Sequence, residues 1–197
     1  MTGKKGNRIN SLIEEGGRSY PDALLALAEF RRQVREKCRS AFEGHLGNLT
    51  ASMGLPFTRN MIRPYAEPEN LSAAYYDGNW ASVGIQAIAK ENVCSIFCAL
   101  EWNRGTGGAT SLCAYISLFF KDTMSMQRAW EAVKPYRSSN WGVEGSNAFY
   151  VSQDVNPKAI VHLEKVMEQL LKDWNRAWMK VGGLATALKM HKPLPQH

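Results

Sequence analysis

The chain has 197 residues, 45% of them hydrophobic and 21% charged, with a formal net charge of +6. That is the make-up of an ordinary globular protein with a buried core, and no low-complexity tract or internal repeat interrupts it. Its longest apolar stretches break well before the ~20 residues a membrane-spanning helix needs, and the N-terminal lysines are followed by no apolar signal region, so a cytoplasmic protein is expected.

Residues 1–18 are glycine-rich and polar and are expected to form a flexible N-terminal tail. A helix should follow, opening at Pro21 and Asp22, because a proline in the first turn wastes no hydrogen bond and a carboxylate suits the positive helix end. Leu24, Leu27, Phe30, Val34, Cys38, Ala41, Phe42 and Leu49 then recur in three- and four-residue steps, an apolar helical stripe that Gly54 and Pro56 end. Residues 56–79 hold Pro56, Pro64 and Pro68 and read as irregular, with a short helical turn near Asn70–Tyr76. "NWASVGIQAIAK" reads as a strand. "ENVCSIFCALEW" and "TSLCAYISLFFKD" alternate with period two and should pair as a long antiparallel hairpin, Val93–Trp102 against Ser111–Phe120, with even-numbered residues buried. Phe97, Ala99, Tyr115 and Phe119 make the other face apolar as well, so the sheet is expected to be covered on both sides. A helix capped by Asp122 or Thr123 ends before Pro135, and one further strand lies around Ala148–Ser152. The last helix begins at Pro157 and carries the stripe Leu163, Val166, Leu170, Trp174, Trp178, ending at Gly182 and Gly183. The expected fold is therefore α/β (α+β): a mixed or antiparallel sheet of about four strands with flanking helices, in the order α-β-β-β-α-β-α. One domain should span residues 19–183, with a C-terminal tail over 184–197.

"EWNRGTGGATSL" (101–112) holds the most suggestive loop. A phosphate-binding loop needs a lysine after its last glycine and a helix behind it, so that N–H groups and the dipole face the anion. This loop has no lysine and leads into a strand. It reads as the hairpin turn, with Arg104 at its tip able to touch a ligand. Cys94 and Cys98 lie four strand residues apart, roughly 13 Å at ~3.3 Å each, too far for two ligands of one zinc. The four cysteines (Cys38, Cys94, Cys98, Cys113) read as reduced core residues, and His45, His162, His191 and His197 show no metal spacing. No nucleophile elbow is present.

Carboxylates offer one further pattern: Asp77 just before the first strand, "Glu101-Trp102-Asn103" at the end of the second, and Glu29 or Glu36 on the first helix. In this placement and element order the chain resembles the PD-(D/E)xK nuclease superfamily over most of residues 20–153. The resemblance implies a metal centre, with Mg²⁺ held by Asp77, Glu101 and Glu36. Asn103 stands where that family has its lysine.

The remaining signals concern binding. Arg31, Arg32, Arg35, Lys37 and Arg39 line the polar side of the first helix. Tyr75, Tyr76, Trp80, Tyr136, Trp141, Phe149 and Tyr150 gather near glycines, loops and the arginines Arg59, Arg63, Arg104, Arg128 and Arg137, where they either close the core or present stacking surfaces. With no complete catalytic motif, the leading expectation is a non-catalytic binding or accessory domain that needs no cofactor. It would engage a protein or nucleic-acid partner through Arg31, Arg32, Arg35 and Arg104. The alternative is a metal-dependent nuclease of the PD-(D/E)xK type, or an inactive relative.

Overall fold

The computed structural model describes residues 3–64, 80–89, 94–104 and 110–189. The chain divides into two compact units, residues 1–33 and 34–197.

The first unit is helical backbone from Gly3 onward, part of helix α1 (Gly3–Gly44). The helix start read at Pro21 is thus corrected: Pro21 lies inside the helix. The physical reason is that Gly16 and Gly17 thin the apolar pattern without breaking a hydrogen-bond ladder. A proline removes one N–H and strains one turn, but need not end a helix.

The second unit is built on a six-stranded antiparallel sheet in the order β1-β2-β3-β4-β6-β5. Its strands are β1 (Ile62–Pro64), β2 (Trp80–Ile88), β3 (Cys94–Arg104), β4 (Thr110–Phe120), β5 (Trp141–Glu144) and β6 (Ala148–Asp154). The β3–β4 hairpin pairs Cys94 with Phe120 and Arg104 with Thr110. Ile96, Cys98, Leu100, Ala114, Ile116 and Leu118 are all buried on one face, as the alternation requires. Two strands go beyond the expected four. β1 is three residues long and ends in a proline, and β5 is four. Both are edge strands, too short to show a period, which also limits unwanted edge pairing. Gly145, at φ +61, opens the tight turn between β5 and β6.

The apolar "inner" face of this sheet receives the helices of the unit. The buried Cys38 thiol, in the C-terminal part of α1, lies beside Cys98, which pushes it well above its ordinary pKa, and the Cys98 thiol donates to Met167 Sδ of α4 (Leu163–Val181) at 3.4 Å. Trp174 of α4 stacks on Trp141 at 5.0 Å with the planes 5° apart, and both rings pack on Phe149. Trp130 of α3 (Thr123–Val133) closes on Phe149 from the other side at 5.4 Å. Asp122 caps α3, its Oδ1 accepting from the Ser125 N–H at 2.7 Å. Helix α2 (Leu46–Met53) joins α4 through Ser52 Oγ donating to Asn175 Oδ1 at 2.7 Å and Trp174 Nε1 donating to Met53 Sδ at 3.4 Å. Helix α5 (Leu184–Lys189) follows Gly183 and buries Leu184 and Ala187. The core thus runs on past residue 183, where the sequence reading starts a tail; two small or apolar residues one turn apart are too short a signal to read as a helix.

Candidate binding face of the sheet

Every second residue of the strands points to the opposite, "outer" face. The register aligns them in rows: Ser82–Glu101–Cys113–Asp154, Gly84–Ala99–Tyr115–Ser152, Gln86–Phe97–Ser117–Tyr150–Gly142, and Ser95–Phe119–Ala148–Glu144. Tyr115, in the middle of these rows, is 8% exposed, and Phe97 and Tyr115 are both engaged in further contacts. Small residues lie low between larger ones. Ala99, Ser117 and Ala148 are fully buried, while Phe119, Tyr150 and Ser152 are half-buried and Asp154 and Glu144 are exposed. Phe97 meets Phe119 edge-on at 4.8 Å, and the Tyr150 ring lies over Gly142, where an added Cβ would be 2.6 Å from it. That close approach explains a glycine in an edge strand.

The face is acidic, although the chain is basic. On β2–β6 it carries Glu101, Glu144 and Asp154 and neither lysine nor arginine; Arg63 on β1 is its cation. No described cation pairs with these three carboxylates. Burial pushes the Glu101 carboxyl above its usual range, and the charge of Glu144 adds to the effect. Glu144, on the exposed edge strand, is raised by partial desolvation. Burial, then Glu101, then Asp154 push the Cys113 thiol up to about 11, so both flanking carboxylates bear on the sulfur between them. In the register, Glu144 lies beside Ala148, whereas Glu101 is in line with Asp154. In a flat sheet these rows would stand roughly 20 Å apart at ~3.3 Å per residue.

The residues singled out from sequence are distributed as follows. Glu101 sits on β3 at the acidic end of the outer face. Asp77 and the helical turn near Asn70–Tyr76 lie outside the described residues, as do the side chains of Asn103 and Arg104. Glu36 is an exposed residue of α1. Among the described residues, no three His, Cys, Asp or Glu side chains gather closely enough to hold a metal ion.

The basic helix residues have intramolecular partners. Arg32 grips Glu29 through two nitrogens at 2.7 and 2.8 Å, and Lys37 donates to the Val161 carbonyl at 3.2 Å. Arg39 lies 3.7 Å from Glu43, which also meets Arg59 at 3.4 Å. Arg31 and Arg35 are half-buried and are engaged as well. Of the aromatic candidates whose side chains are described, Trp141 and Phe149 belong to the core, Tyr136 is exposed under Lys180, and Tyr150 faces the outer rows; Tyr75, Tyr76 and the Trp80 side chain lie outside the described residues. Cys38, Cys94 and Cys98 are buried free thiols, as read from sequence; Cys113 instead faces outward, half-buried.

Sequence reasoning missed Ser82, Cys113, Ser152, Asp154 and Glu144 as neighbours of Glu101. The odd-numbered positions of the hairpin carried the signal, since they alone mix acid, hydroxyl and thiol with aromatics. No family model, curated protein or solved structure matches this chain. No helix among the described residues is long and apolar enough to cross a membrane.

Proposed function

We propose that this protein is a binding or accessory domain that docks a segment of a partner protein on the outer face of its sheet. One observation carries the reading: on the described strands the outer face combines half-buried rings, buried small residues and the carboxylates Glu101, Glu144 and Asp154, with which no described lysine or arginine pairs. A surface of rings flanked by polar groups suits a protein segment, whose side chains fill the gaps between strands. A nucleic acid is disfavoured there, because three carboxylates repel phosphate and the face offers almost no cation. The arginines of α1 support the same choice, since Arg32 and Arg39 are already matched to Glu29 and Glu43.

The test is selection of random displayed peptides on the protein, followed by affinity measurement on folded variants. Ser152→Trp, which raises a bulky ring from the middle of the face, should abolish binding of the selected peptides. Replacing Arg32 and Arg35 together with glutamine should leave it unchanged. Peptides that bind Ser152→Trp normally, or a salt-dependent affinity for single- or double-stranded oligonucleotides lost in the double arginine variant, would overturn the proposal.

A further inference from the structure

A second surface lies among the helices, where the end of α3 meets the end of α4. We propose that this corner binds an acidic segment of a partner protein through Arg137 and Lys180, two cations held in place on the rings of Trp130 and Tyr136. It is separate from the outer face of the strands and stands or falls independently of it.

The geometry starts from the local sequence. α3 stops at Val133, and Pro135 carries the chain through the 3-10 turn Lys134–Tyr136. At Arg137 the backbone is extended, with φ −75° and ψ 152°. The guanidinium there folds back over α3, its Cζ 4.5 Å from the centre of the Trp130 ring. Trp130 is in turn held against Phe149 at 5.4 Å, so the ring is a firm seat. Lys180 lies in the last turn of α4, where the helix carbonyls favour a cation. Its Nζ stands 6.0 Å from the centre of the Tyr136 ring. Tyr136 and Arg137 are consecutive, so one turn of chain brings the two cations together.

Three features point to an anionic ligand. First, neither cation has a carboxylate partner among the described residues, whereas Lys134 and Arg176 beside them are matched to Glu131 at 3.2 Å and Asp173 at 3.4 Å. Second, attraction to a ring restrains a cation but takes up none of its N–H donors. Both heads keep their hydrogen bonds for a ligand, and a restrained side chain loses less freedom on binding. Third, the corner is open: Arg137 and Lys180 are exposed, Tyr136 is 45% exposed, and Met179, next to Lys180 in the chain, is 69% exposed.

Charge and number choose the occupant. Two unmatched cations beside exposed apolar side chains suit two carboxylates and an apolar residue on one short segment. The planar fork of Arg137 can take a carboxylate through two parallel bonds, and Lys180 meets the other as a point charge. A single-stranded nucleic acid fits less well, because its bases need free ring faces to stack on. Here each ring carries one of the protein's own cations, and α3 and α4 also bear Glu131 and Asp173.

The probe is a panel of octapeptides, each with one leucine and two glutamates set zero to four residues apart, labelled with a neutral dye and titrated by fluorescence anisotropy. At least one spacing should bind better than its twin with glutamine in place of glutamate, and its affinity should fall with salt. Arg137→Gln and Lys180→Gln together should weaken that peptide by roughly tenfold, at about three- to fivefold for each exposed charge pair. They should leave the glutamine twin unchanged. Lys180→Glu should reverse the preference, favouring a twin with lysine in place of one glutamate. Tyr136→Leu, which removes the seat and keeps the charge, should give a smaller loss. Acidic peptides that bind no better than their glutamine twins at every spacing, or that bind the double variant as well as the wild type, would overturn the site. So would an oligothymidylate that binds more tightly than every acidic peptide and loses that affinity in the double variant.

Discussion

Gly84, in the middle of β2, gives the sharpest test of the sheet register. An alanine methyl there would lie 2.2 Å from the Cys98 carbonyl oxygen, 2.5 Å from Ala99 Cβ and 2.6 Å from Ala99 Cα. Two of these three atoms are backbone, and they belong to a strand held between β2 and β4. Restoring an ordinary 3.4 Å separation from the carbonyl means opening the ladder by 1.2 Å, the difference between 3.4 and 2.2. Overpacking of this kind costs about 1–3 kcal/mol, and loss of one ladder hydrogen bond adds roughly 0.5–1.5 kcal/mol. The reduced freedom of the unfolded chain returns about 0.4–1 kcal/mol. The net expectation is a destabilisation of about 0.5–4 kcal/mol, which lowers the melting temperature by roughly 1–16 °C in a chain of this size. Urea unfolding followed by circular dichroism measures it. Gly47→Ala is the control: nothing lies within 4 Å of its added Cβ, and alanine improves a helix by up to about 1 kcal/mol. If Gly84→Ala lost less than about half a kcal/mol, β2 would not pair with β3 in this register, and Ser82 would not face Glu101.

That dependence on register marks the limit of what could be read from the sequence. The β3–β4 hairpin was legible because Ile96, Leu100, Ile116 and Leu118 alternate without a break over two full strands. The α4 stripe was legible because Leu163, Leu170, Trp174 and Trp178 repeat over about four turns. Both are long periodic signals, which local patterning specifies well. β1 and β5 carry too few residues for any period, so the edges of the sheet and its six-strand width were not. Glu101 could be picked out as an acid at a strand end, but its row-mates come from β2, β4 and β6. Their juxtaposition depends on which strand inserts next to which, here β6 between β4 and β5. The basic run on α1 suggested a polyanion surface because sequence displays Arg32 and Arg39 without the geometry that ties them to Glu29 and Glu43. The apolar residues on the odd positions of the hairpin implied a sheet covered on both sides, and Ala99, Tyr115 and Ser117 on that face are indeed buried.

Three further outcomes follow from buried and titratable groups. Leu170→Ala removes a side chain that is 1% exposed beneath the sheet and should cost about 2–5 kcal/mol; a loss below about half a kcal/mol in denaturant unfolding would mean that α4 does not pack as described. Asp122→Ala removes the α3 cap and should cost about 1 kcal/mol. Because hydrogen bonds from Ser125 hold the Asp122 carboxyl below its usual range, this contribution should be present at neutral pH and fade as pH falls through the lowered value; an unchanged difference in acid would refute the cap. Glu101 behaves in the opposite sense. Its pKa in the folded protein is raised above the ordinary 4.5, first by burial and then by Glu144, so folding favours the protonated form. The stabilisation linked to that proton is full below the ordinary value and is lost as pH rises through the raised one. At neutral pH the ionised, partly desolvated carboxylate works against folding, and Glu101→Gln removes that penalty while keeping the side-chain shape. The variant should thus be more stable than the wild type at neutral pH, and the gap should close as acid protonates Glu101 in the wild type. Unfolding midpoints in urea, measured across the raised pKa, decide the matter. A wild type more stable than Glu101→Gln at neutral pH would mean that a cation of the protein already rests against the carboxylate.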